Sequence, residues 1–460
     1  MKKLYATLLL ALAAVTVSAQ NPVTYFMEGT ALRTQWNPAF APDRGYVSIP
    51  LIGNIQVGID GNLSLGSVVK KNAAGNLVTL FHGSISPDEA VKGLGNMAFT
   101  NFDTSLSIVS FGRYTKNQKN FWAADLSLHV AGSARIPRSL VELVKNGPNA
   151  AGELNGENLG MRFDSYVEAS FSYSLPLPVL DEKLYVGGRF KFLVGMAHMG
   201  LNFDSFSAHL NENEWSANMS GSLQAAGFAA NLKNGETFDV DDVLDGALKL
   251  PSGYGFGVDL GATYQVLPEL QVSLSVNDLG AIFYGKGKTT NGSATLSGFG
   301  FNGFYLDKEG NLDGEESLDF GSVEFLAEEP HGITKRLHTS INMGGQYDFL
   351  ERRIGVGLFY STRFYEHATR HNLVLSANFR PLSWLHVTGC WSLVDNAGLG
   401  LGLNICPKYI NIFLGTDLLL SKKTPEWIPV NQSKVNFNFG LAVPLGRKGL
   451  RHAAQTAAAE

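Results

Sequence analysis

Charged residues are scarce in this chain of 460 residues, because Asp, Glu, Lys and Arg make up 17% of it against roughly 25% in soluble domains. Cysteine is scarcer still: the chain has two. That number excludes a scaffold held by several disulfides and a four-cysteine metal or iron–sulfur site. The formal net charge of −5 also gives no basic excess, so nucleic acid is not expected as a partner.

Long apolar runs are missing beyond the first twenty residues, where no stretch of 18 uncharged apolar residues occurs. A transmembrane helix is therefore not expected. At the start, Lys2 and Lys3 precede an apolar stretch at residues 4–17, and small residues lead up to Ala19. This pattern is typical of a signal peptide over residues 1–19. We expect an exported protein that is either soluble or a transmembrane β-barrel.

Glycine and phenylalanine are abundant, with 51 and 29 copies, and they recur with period two, which indicates β-strands. In residues 167–175 and 184–194, for example, apolar side chains alternate with small, polar or charged ones. These strands are about ten residues long, the length that a tilted membrane-spanning strand needs. The pattern predicts an all-β fold: a transmembrane antiparallel β-barrel of 14 strands, or 16, with its apolar face toward lipid.

The connections between these strands alternate in length, as in barrels with short periplasmic turns and long extracellular loops. Two of the long segments carry helical signals, at residues 137–146 and 240–248, and these are expected either to cap the barrel mouth or to form simple surface helices. The short turns are expected at 114–118, 177–182, 265–268, 349–353, 380–383 and 406–408, and the long segments at 132–163, 224–252, 285–337 and 419–434.

The segment after the signal peptide lacks strand alternation. It reads YFMEGT at residues 25–30, QWNPAF at 35–40 and GYVSIP at 45–50. It resembles the start of an uncharacterised outer-membrane barrel family of the Bacteroidota, described as a domain of unknown function. The NPA piece at residues 37–39 also resembles the N-terminal hatch motif of the long-chain fatty acid transporter (FadL-like) barrels and their secretion-associated relatives. VNDLG at 276–280 is similar to a strand-end motif of that wider group.

The FadL-like resemblance implies a barrel of 14 strands, plugged by its N-terminal segment, with a hydrophobic ligand entering from outside. The matching plug residues here are Trp36, Asn37, Pro38 and Ala39. The expected organisation is a signal peptide (1–19), a plug segment (20–45), the barrel (46–446) and a periplasmic tail (447–460). That Ala-rich tail departs from common barrels, which end on an aromatic residue.

Three glycines, Gly398, Gly400 and Gly402, alternate with leucines and are expected to line the lumen. Glycine inside a strand often marks a close backbone approach. We expect the segment over residues 25–40 to pack against them, with strand curvature as the other explanation. Charged side chains are also expected to face the lumen, where they either tune selectivity or pair with one another; these are Asp125, Glu168, Arg189, Lys191, Asp259 and Arg380.

Cys390 and Cys406 lie on consecutive predicted strands and both face the lumen by parity. An oxidising periplasm would favour a disulfide between them. The hairpin register decides whether they meet, and the sequence leaves it open.

Metal-binding patterns are incomplete. His367 and His371 are four residues apart, as in helical zinc sites, but no Glu follows the first His and the segment joins two strands, which favours a solvated loop. Residues 307–318 alternate acids and amides like a calcium loop, but Leu312 and Leu318 replace the required Gly and Glu. A glycine turn is favoured there, a looser calcium site stays open, and no metal site is predicted.

No catalytic triad, nucleophile elbow or dinucleotide loop is present in the sequence, so neither an enzyme nor a cofactor is expected. The leading hypothesis is a Gram-negative outer-membrane barrel that binds or transports a hydrophobic or small amphipathic molecule. The alternative is a non-transporting scaffold or shuttle for secreted or surface proteins. Expected partners are outer-membrane lipid and either that ligand or those proteins.

Overall fold

The computed structural model describes residues 22–62, 69–72, 77–79, 82–92, 94–139, 141–142, 153–156, 159–210, 215–229, 232–238, 240–297, 325–366, 369–394, 398–417 and 435–450. The described helices are single turns or little more, at Val23–Phe26, Arg33–Trp36, Pro87–Val91 and Val240–Leu244, with 3₁₀ turns at Leu180–Glu182 and Lys286–Lys288. In this part of the chain no helix has the length and apolarity needed to cross a membrane.

The rest of the described secondary structure is extended. The strands are β1 (Gly45–Ser48), β2 (Ile55–Gly61), β3 (Val69–Lys71), β4 (Leu77–Thr79), β5 (Met97–Tyr114), β6 (Phe121–Pro137), β7 (Glu153–Gly156), β8 (Leu159–Pro176), β9 (Leu184–Leu210), β10 (Trp215–Ala226), β11 (Phe228–Ala229), β12 (Thr237–Phe238), β13 (Ala247–Leu248), β14 (Gly253–Gln265), β15 (Leu270–Tyr284), β16 (Thr289–Ser297), β17 (Phe325–Ala327), β18 (Ile333–Arg336), β19 (Ser340–Phe349), β20 (Ile354–Phe364), β21 (Thr369–Leu382), β22 (Leu385–Ser392), β23 (Leu399–Ile405), β24 (Asn411–Thr416) and β25 (Val435–Leu445).

Fourteen antiparallel wall strands close into a barrel. β1 and β2 together make one wall strand, as do β18 and β19, and the others are β5, β6, β8, β9, β14, β15 and β20 to β25. Closure occurs because β1 and β2 each pair with both β25 and β5. A closed barrel leaves no unpaired edge in lipid. The predicted transmembrane antiparallel barrel is confirmed, with 14 strands and not 16.

The two faces of the wall differ as the alternation predicts. On β9, Phe190 and Phe192 are 55% and 45% exposed, whereas their neighbours Arg189 and Lys191 are buried. Exposed apolar residues continue around the outside and form the lipid-facing belt; they include Phe171, Phe256, Leu274, Met343, Leu358, Leu375, Trp391, Leu401, Leu414 and Phe437.

The two ends of the barrel also differ. The six predicted short turns all lie at one end, which we call the turn end, together with the start of β1 and the end of β25. The longer excursions lie at the opposite, loop end. Their predicted bounds need correction, since β6 runs to Pro137 and β8 starts at Leu159, and since β18 lies inside the predicted loop 285–337 but belongs to the wall.

The same sheet extends above the loop end. β9 has 27 residues, and its second half, which at first stays paired with β8, exchanges β14 for β10. β10 pairs with β16 and through it with β17. Leu223, Phe238, Val243 and Phe325 are buried in the core of this layer. Strand alternation continues without a break past the barrel rim, which is why the sequence did not reveal where β9 leaves the wall.

The two helix predictions have mixed outcomes. Residues 138–139 and 141–142 are helical, and the end of the predicted 137–146 helix lies outside the described residues. The second helix covers only Val240–Leu244, because Ala247–Leu248 forms a strand with β11. The helix Pro87–Val91, capped by the Ser86 hydroxyl, was not anticipated.

Some predictions lie outside the described residues: the signal peptide (1–19), the calcium-like segment (307–318), His367, and residues 451–460 of the tail. His371 is described and lies in β21 rather than in a loop, where its Nδ1 is 2.8 Å from the Tyr360 hydroxyl. Among the described residues, no group of three or more His, Cys, Asp or Glu is arranged to hold a metal ion.

The candidate disulfide is wrong for this register. β22 and β23 align Cys390 with Gly400, and the Cys406 N–H donates to the Trp384 carbonyl. The two cysteines are thus six ladder positions apart, or about 20 Å at roughly 3.3 Å per residue, whereas a disulfide needs Cα atoms within about 7 Å. Both are free thiols, Cys390 buried in the lumen and Cys406 in a turn.

Candidate functional site in the barrel lumen

Residues 22–44, which we call the N-terminal segment, lie inside the barrel. Two helical turns, Val23–Phe26 and Arg33–Trp36, are joined through Gly29, whose φ of +85° is a backbone conformation that glycine adopts easily. Apolar side chains of the segment form one buried core with wall residues. The members are Val23, Tyr25, Phe26, Met27, Leu32, Trp36 and Phe40 from the segment, and Phe359, Val374, Cys390 and Phe413 from the wall.

The predicted plug residues are all buried and bind the wall through the backbone. The Trp36 carbonyl accepts hydrogen bonds from Ser275 Oγ (2.6 Å) and Asn277 Nδ2 (2.8 Å). Asn37 Nδ2 donates to the carbonyls of Ala262 and Leu274, at 3.1 Å each. The chain is therefore held in register against β14 and β15 through several buried polar contacts, each of which would be costly to leave unmade.

Pro38 and Ala39 continue along the wall. A Cβ at Gly187 of β9 would lie 2.2 Å from the Pro38 carbonyl oxygen, so only glycine allows this approach. The Ala39 N–H donates to Asn37 Oδ1 (2.8 Å), which fixes the turn between them.

Two of the three predicted lumen glycines contact the N-terminal segment. A Cβ at Gly400 or Gly402 would lie 2.6 or 2.4 Å from a methyl group of Val23. Gly398 precedes β23, and its carbonyl accepts from the Ser392 N–H.

Further glycines with the same role were missed. A Cβ at Gly344 would meet the Tyr25 hydroxyl at 2.0 Å, one at Gly357 would meet the Phe26 ring at 2.2 Å, and one at Gly261 would meet Asn37 Oδ1 at 2.0 Å. Each of these glycines alternates along its strand with outward apolar residues, so the sequence could have predicted that it faces the lumen.

An ion-pair cluster fixes the N-terminal segment at the turn end. A Glu28 carboxylate oxygen lies 2.8 Å from Arg352 and 3.2 Å from Arg380, and Arg33 is 3.7 Å away. Arg380, predicted to face the lumen, also pairs with Asp348 at 3.1 Å. Burial lowers the pKa of Arg33, and the Glu28 carboxylate opposes this effect. The sequence did not single out Glu28, because it lies outside any strand pattern.

The other predicted lumen charges meet near mid-barrel. Lys191 Nζ is 2.9 Å from Asp259 and 2.5 Å from Asp278. Arg189 is 3.5 Å from Asp259 and donates to the Thr34 carbonyl at 2.8 Å, so it links this group to the N-terminal segment. Asp278 was not predicted; it has a positive φ of 62° where the β14–β15 register shifts.

Asp125 and Glu168 differ from these paired charges. Asp125 accepts a hydrogen bond from Ser107 Oγ at 2.8 Å. Glu168 lies 3.7 Å from His129 Nε2 and 4.0 Å from Lys191 Nζ. Both carboxylates line a cavity of about 100 Å³, which has room for several waters.

This cavity separates the N-terminal segment from one sector of the wall. Its lining includes inward polar side chains of β5, β6, β8 and β9, Leu32 of the N-terminal segment, and Tyr46, Phe413 and Ala442 of the adjoining wall strands β1, β24 and β25. The lumen is thus filled by the N-terminal segment along β14, β15 and β19 to β23, and the cavity lies along β5, β6 and β8.

The barrel is similar to several solved structures. The toluene transporter TbuX of Ralstonia pickettii is 13% identical in sequence and superposes with a TM-score of 0.45; the match covers 93% of this chain and 98% of that chain. The P. putida toluene transporter TodX shares 9% identity and a TM-score of 0.43, over 91% and 95%. The translocator domain of the autotransporter NalP from Neisseria meningitidis shares 7% identity and a TM-score of 0.30, over 88% and 90%.

The comparison with curated protein sequences gives no match. One family model matches residues 38–417, which include part of the N-terminal segment and most of the wall strands. The chain therefore belongs to the Family of unknown function (DUF5723).

Proposed function

We propose that this protein is an outer-membrane channel in which residues 22–44 plug the lumen and a small amphipathic molecule passes beside the plug. In this proposal the turn end faces the periplasm and the loop end faces outward, as is usual for such barrels. The observation that carries the proposal is the cavity of about 100 Å³ between the N-terminal segment and the β5–β6–β8 wall.

The lining of the cavity supports an amphipathic rather than a purely hydrophobic ligand. Serines and carboxylates, such as Ser170 and Asp125, make up much of its polar surface, while Leu32 and Phe413 supply apolar surface. A hydrocarbon would leave the polar side without hydrogen-bond partners, which is unfavourable in a confined site. A molecule with one polar and one apolar end would match both sides.

A neighbouring pair of residues on β8 tests this proposal. Ser170 is buried and lines the cavity, whereas Ala169 is exposed on the lipid face. Ser170→Phe should fill the passage, and Ala169→Phe adds the same ring outside it. The measurement is the swelling rate of proteoliposomes in triethylene glycol, a neutral amphipathic solute.

We expect Ser170→Phe to reduce the swelling rate to that of protein-free liposomes, and Ala169→Phe to leave it at the wild-type value. Equal rates for the two variants would contradict passage through this cavity. A wild-type rate no higher than that of empty liposomes would instead favour a non-transporting scaffold. One observation favours that alternative: the segment packs against the wall from β9 to β24, which restricts the lumen.

A further inference from the structure

We propose that the cavity beside the N-terminal segment binds a protonated amine, with Asp125 and Glu168 as its counter-ions. This inference rests on the proposed function, because it names the class of amphipathic molecule that the cavity accepts.

The first observation is an excess of negative charge. The mid-barrel group contains five carboxylates and three permanently charged cations among the described residues. The carboxylates are Asp103, Asp125, Glu168, Asp259 and Asp278, and the cations are Arg189, Lys191 and Arg363. This set of residues carries two more negative than positive charges in a confined space, which favours a cation there.

The second observation is where the three cations point. Lys191 Nζ contacts Asp259 and Asp278 at 2.9 and 2.5 Å, and Arg363 contacts Asp103 at 2.7 Å. Arg189 bonds Thr34 at 2.8 Å and faces Asp259. Each cation thus has its closest partner elsewhere, and the carboxylates of Asp125 and Glu168 are left with weaker contacts.

The third observation concerns Glu168 itself. Its side chain is 7% exposed, it lines the cavity, and it accepts no hydrogen bond within 3.5 Å from any described residue. Two side-chain nitrogen atoms approach it, His129 Nε2 and Lys191 Nζ, at 3.7 and 4.0 Å. A buried carboxylate normally accepts hydrogen bonds, so the Glu168 oxygens are available to a donor inside the cavity.

The geometry fits an ammonium group. β6 pairs with β8 so that Asp125 faces Ser170 and Ser127 faces Glu168, which puts the two carboxylates on one diagonal, about 7–8 Å apart at the backbone. An ammonium group between them can donate its three N–H bonds to the carboxylates and a serine hydroxyl. Its alkyl part would then extend toward Leu32 and Phe413.

The test is isothermal titration calorimetry of the detergent-purified protein with n-butylammonium chloride, compared with n-butanol, which has the same alkyl chain without the charge. The variants are Glu168→Gln and Asp125→Asn, each of which removes a charge and keeps the shape. Asp181→Asn is the matched control, because Asp181 is an exposed carboxylate (89%) at the turn end.

We expect saturable binding of n-butylammonium and none of n-butanol. Either lumen variant should raise the Kd about tenfold or more, because each loses a charge-assisted hydrogen bond, and Asp181→Asn should leave the Kd unchanged. If Glu168→Gln fails to fold, Asp125→Asn carries the test. The inference is overturned if n-butylammonium does not bind, if n-butanol binds equally well, or if both lumen variants keep the wild-type Kd.

These outcomes are separate from the test of the proposed function. Triethylene glycol carries no charge, so its flux and its block by Ser170→Phe do not depend on Asp125 or Glu168. If the neutral solute passes but the amine does not bind, the amine proposal is refuted and the channel proposal stands. If the amine binds but no solute passes, the channel proposal is refuted and the cavity remains a binding site.

Discussion

Gly344 and Gly345 are adjacent on β19 and face opposite sides of the barrel wall, which makes them a matched pair for testing how the N-terminal segment is held. A Cβ at Gly344 would lie 2.0 Å from the Tyr25 hydroxyl and 2.5 Å from its ring. At Gly345 the nearest atom would be the Gln271 carbonyl oxygen, 3.9 Å away, which is ordinary contact. Gly344→Val therefore collides with the N-terminal segment, and Gly345→Val does not.

The free-energy cost of Gly344→Val to docking follows from the contacts that Tyr25 would lose. Its hydroxyl bonds Ser273, and its ring packs on four others, with centroids 4.3–6.4 Å apart. Overpacking such a site costs about 1–3 kcal/mol, and each ring pair contributes about 0.5–1.5 kcal/mol beyond its area. Because the Tyr25 ring can shift and keep part of these contacts, we take the lower ends of both ranges, a total of about 3 kcal/mol, which changes the ratio of docked to undocked segment by about a hundredfold.

The assay is single-channel recording in planar bilayers. Gly344→Val should increase the frequency of high-conductance openings by up to about a hundredfold, and deleting residues 22–40 should make the high-conductance state permanent. Gly345→Val should behave like the wild type, although it adds the same β-branched residue to the same strand. Circular dichroism checks that both variants form the barrel. If Gly344→Val and Gly345→Val then show the same frequency of high-conductance openings, the N-terminal segment does not close the lumen.

Two further predictions concern the turn end and the cysteines. Glu28→Gln should destabilise docking of the N-terminal segment by about 3 kcal/mol, because it breaks buried ion pairs with Arg352 and Arg380. The same single-channel recordings measure this effect. Glu351 is an exposed carboxylate in the neighbouring turn, so Glu351→Gln should leave the recordings unchanged. Thiol titration of the protein unfolded without reductant should find two free thiols. In the folded protein at neutral pH, Cys406 should react only slowly, because burial raises its pKa to about 11. A disulfide between the two cysteines would contradict the β22–β23 register.

The wall of the barrel could be predicted from the sequence because each strand carries its own evidence. Alternation in residues 184–194 shows which side chains face lipid without reference to any other strand. Register is different, since it depends on where two strands meet. Parity placed Cys390 and Cys406 on one face, but only the pairing of Cys390 with Gly400 shows that the two thiols are far apart.

The contents of the lumen were harder to predict for a related reason. Glu28 and Asp278 interact with residues 324 and 87 positions away in the chain, Arg352 and Lys191 respectively. Although Glu28 lies in the YFMEGT piece and Asp278 in the VNDLG piece, neither motif indicates the partner that each acid binds. Gly400 and Gly402 could be found because inward glycines on a strand are unusual enough to suggest a close contact.

Glycine and serine at inward positions allow different contacts, although both are small. Where the wall carries glycine, as at Gly344, Gly357 and Gly402, the N-terminal segment packs directly against the backbone. Serine hydroxyls form hydrogen bonds instead: Ser275 on β15 donates to the Trp36 carbonyl of the segment, whereas Ser107 and Ser170 on β5 and β8 line the cavity. A hydroxyl can bond the segment, water or a ligand, whereas a bare backbone favours close packing. The inward glycines of β19 to β23 therefore set where the segment packs most closely, and the inward serines of β5, β6 and β8 provide the polar surface of the path beside it.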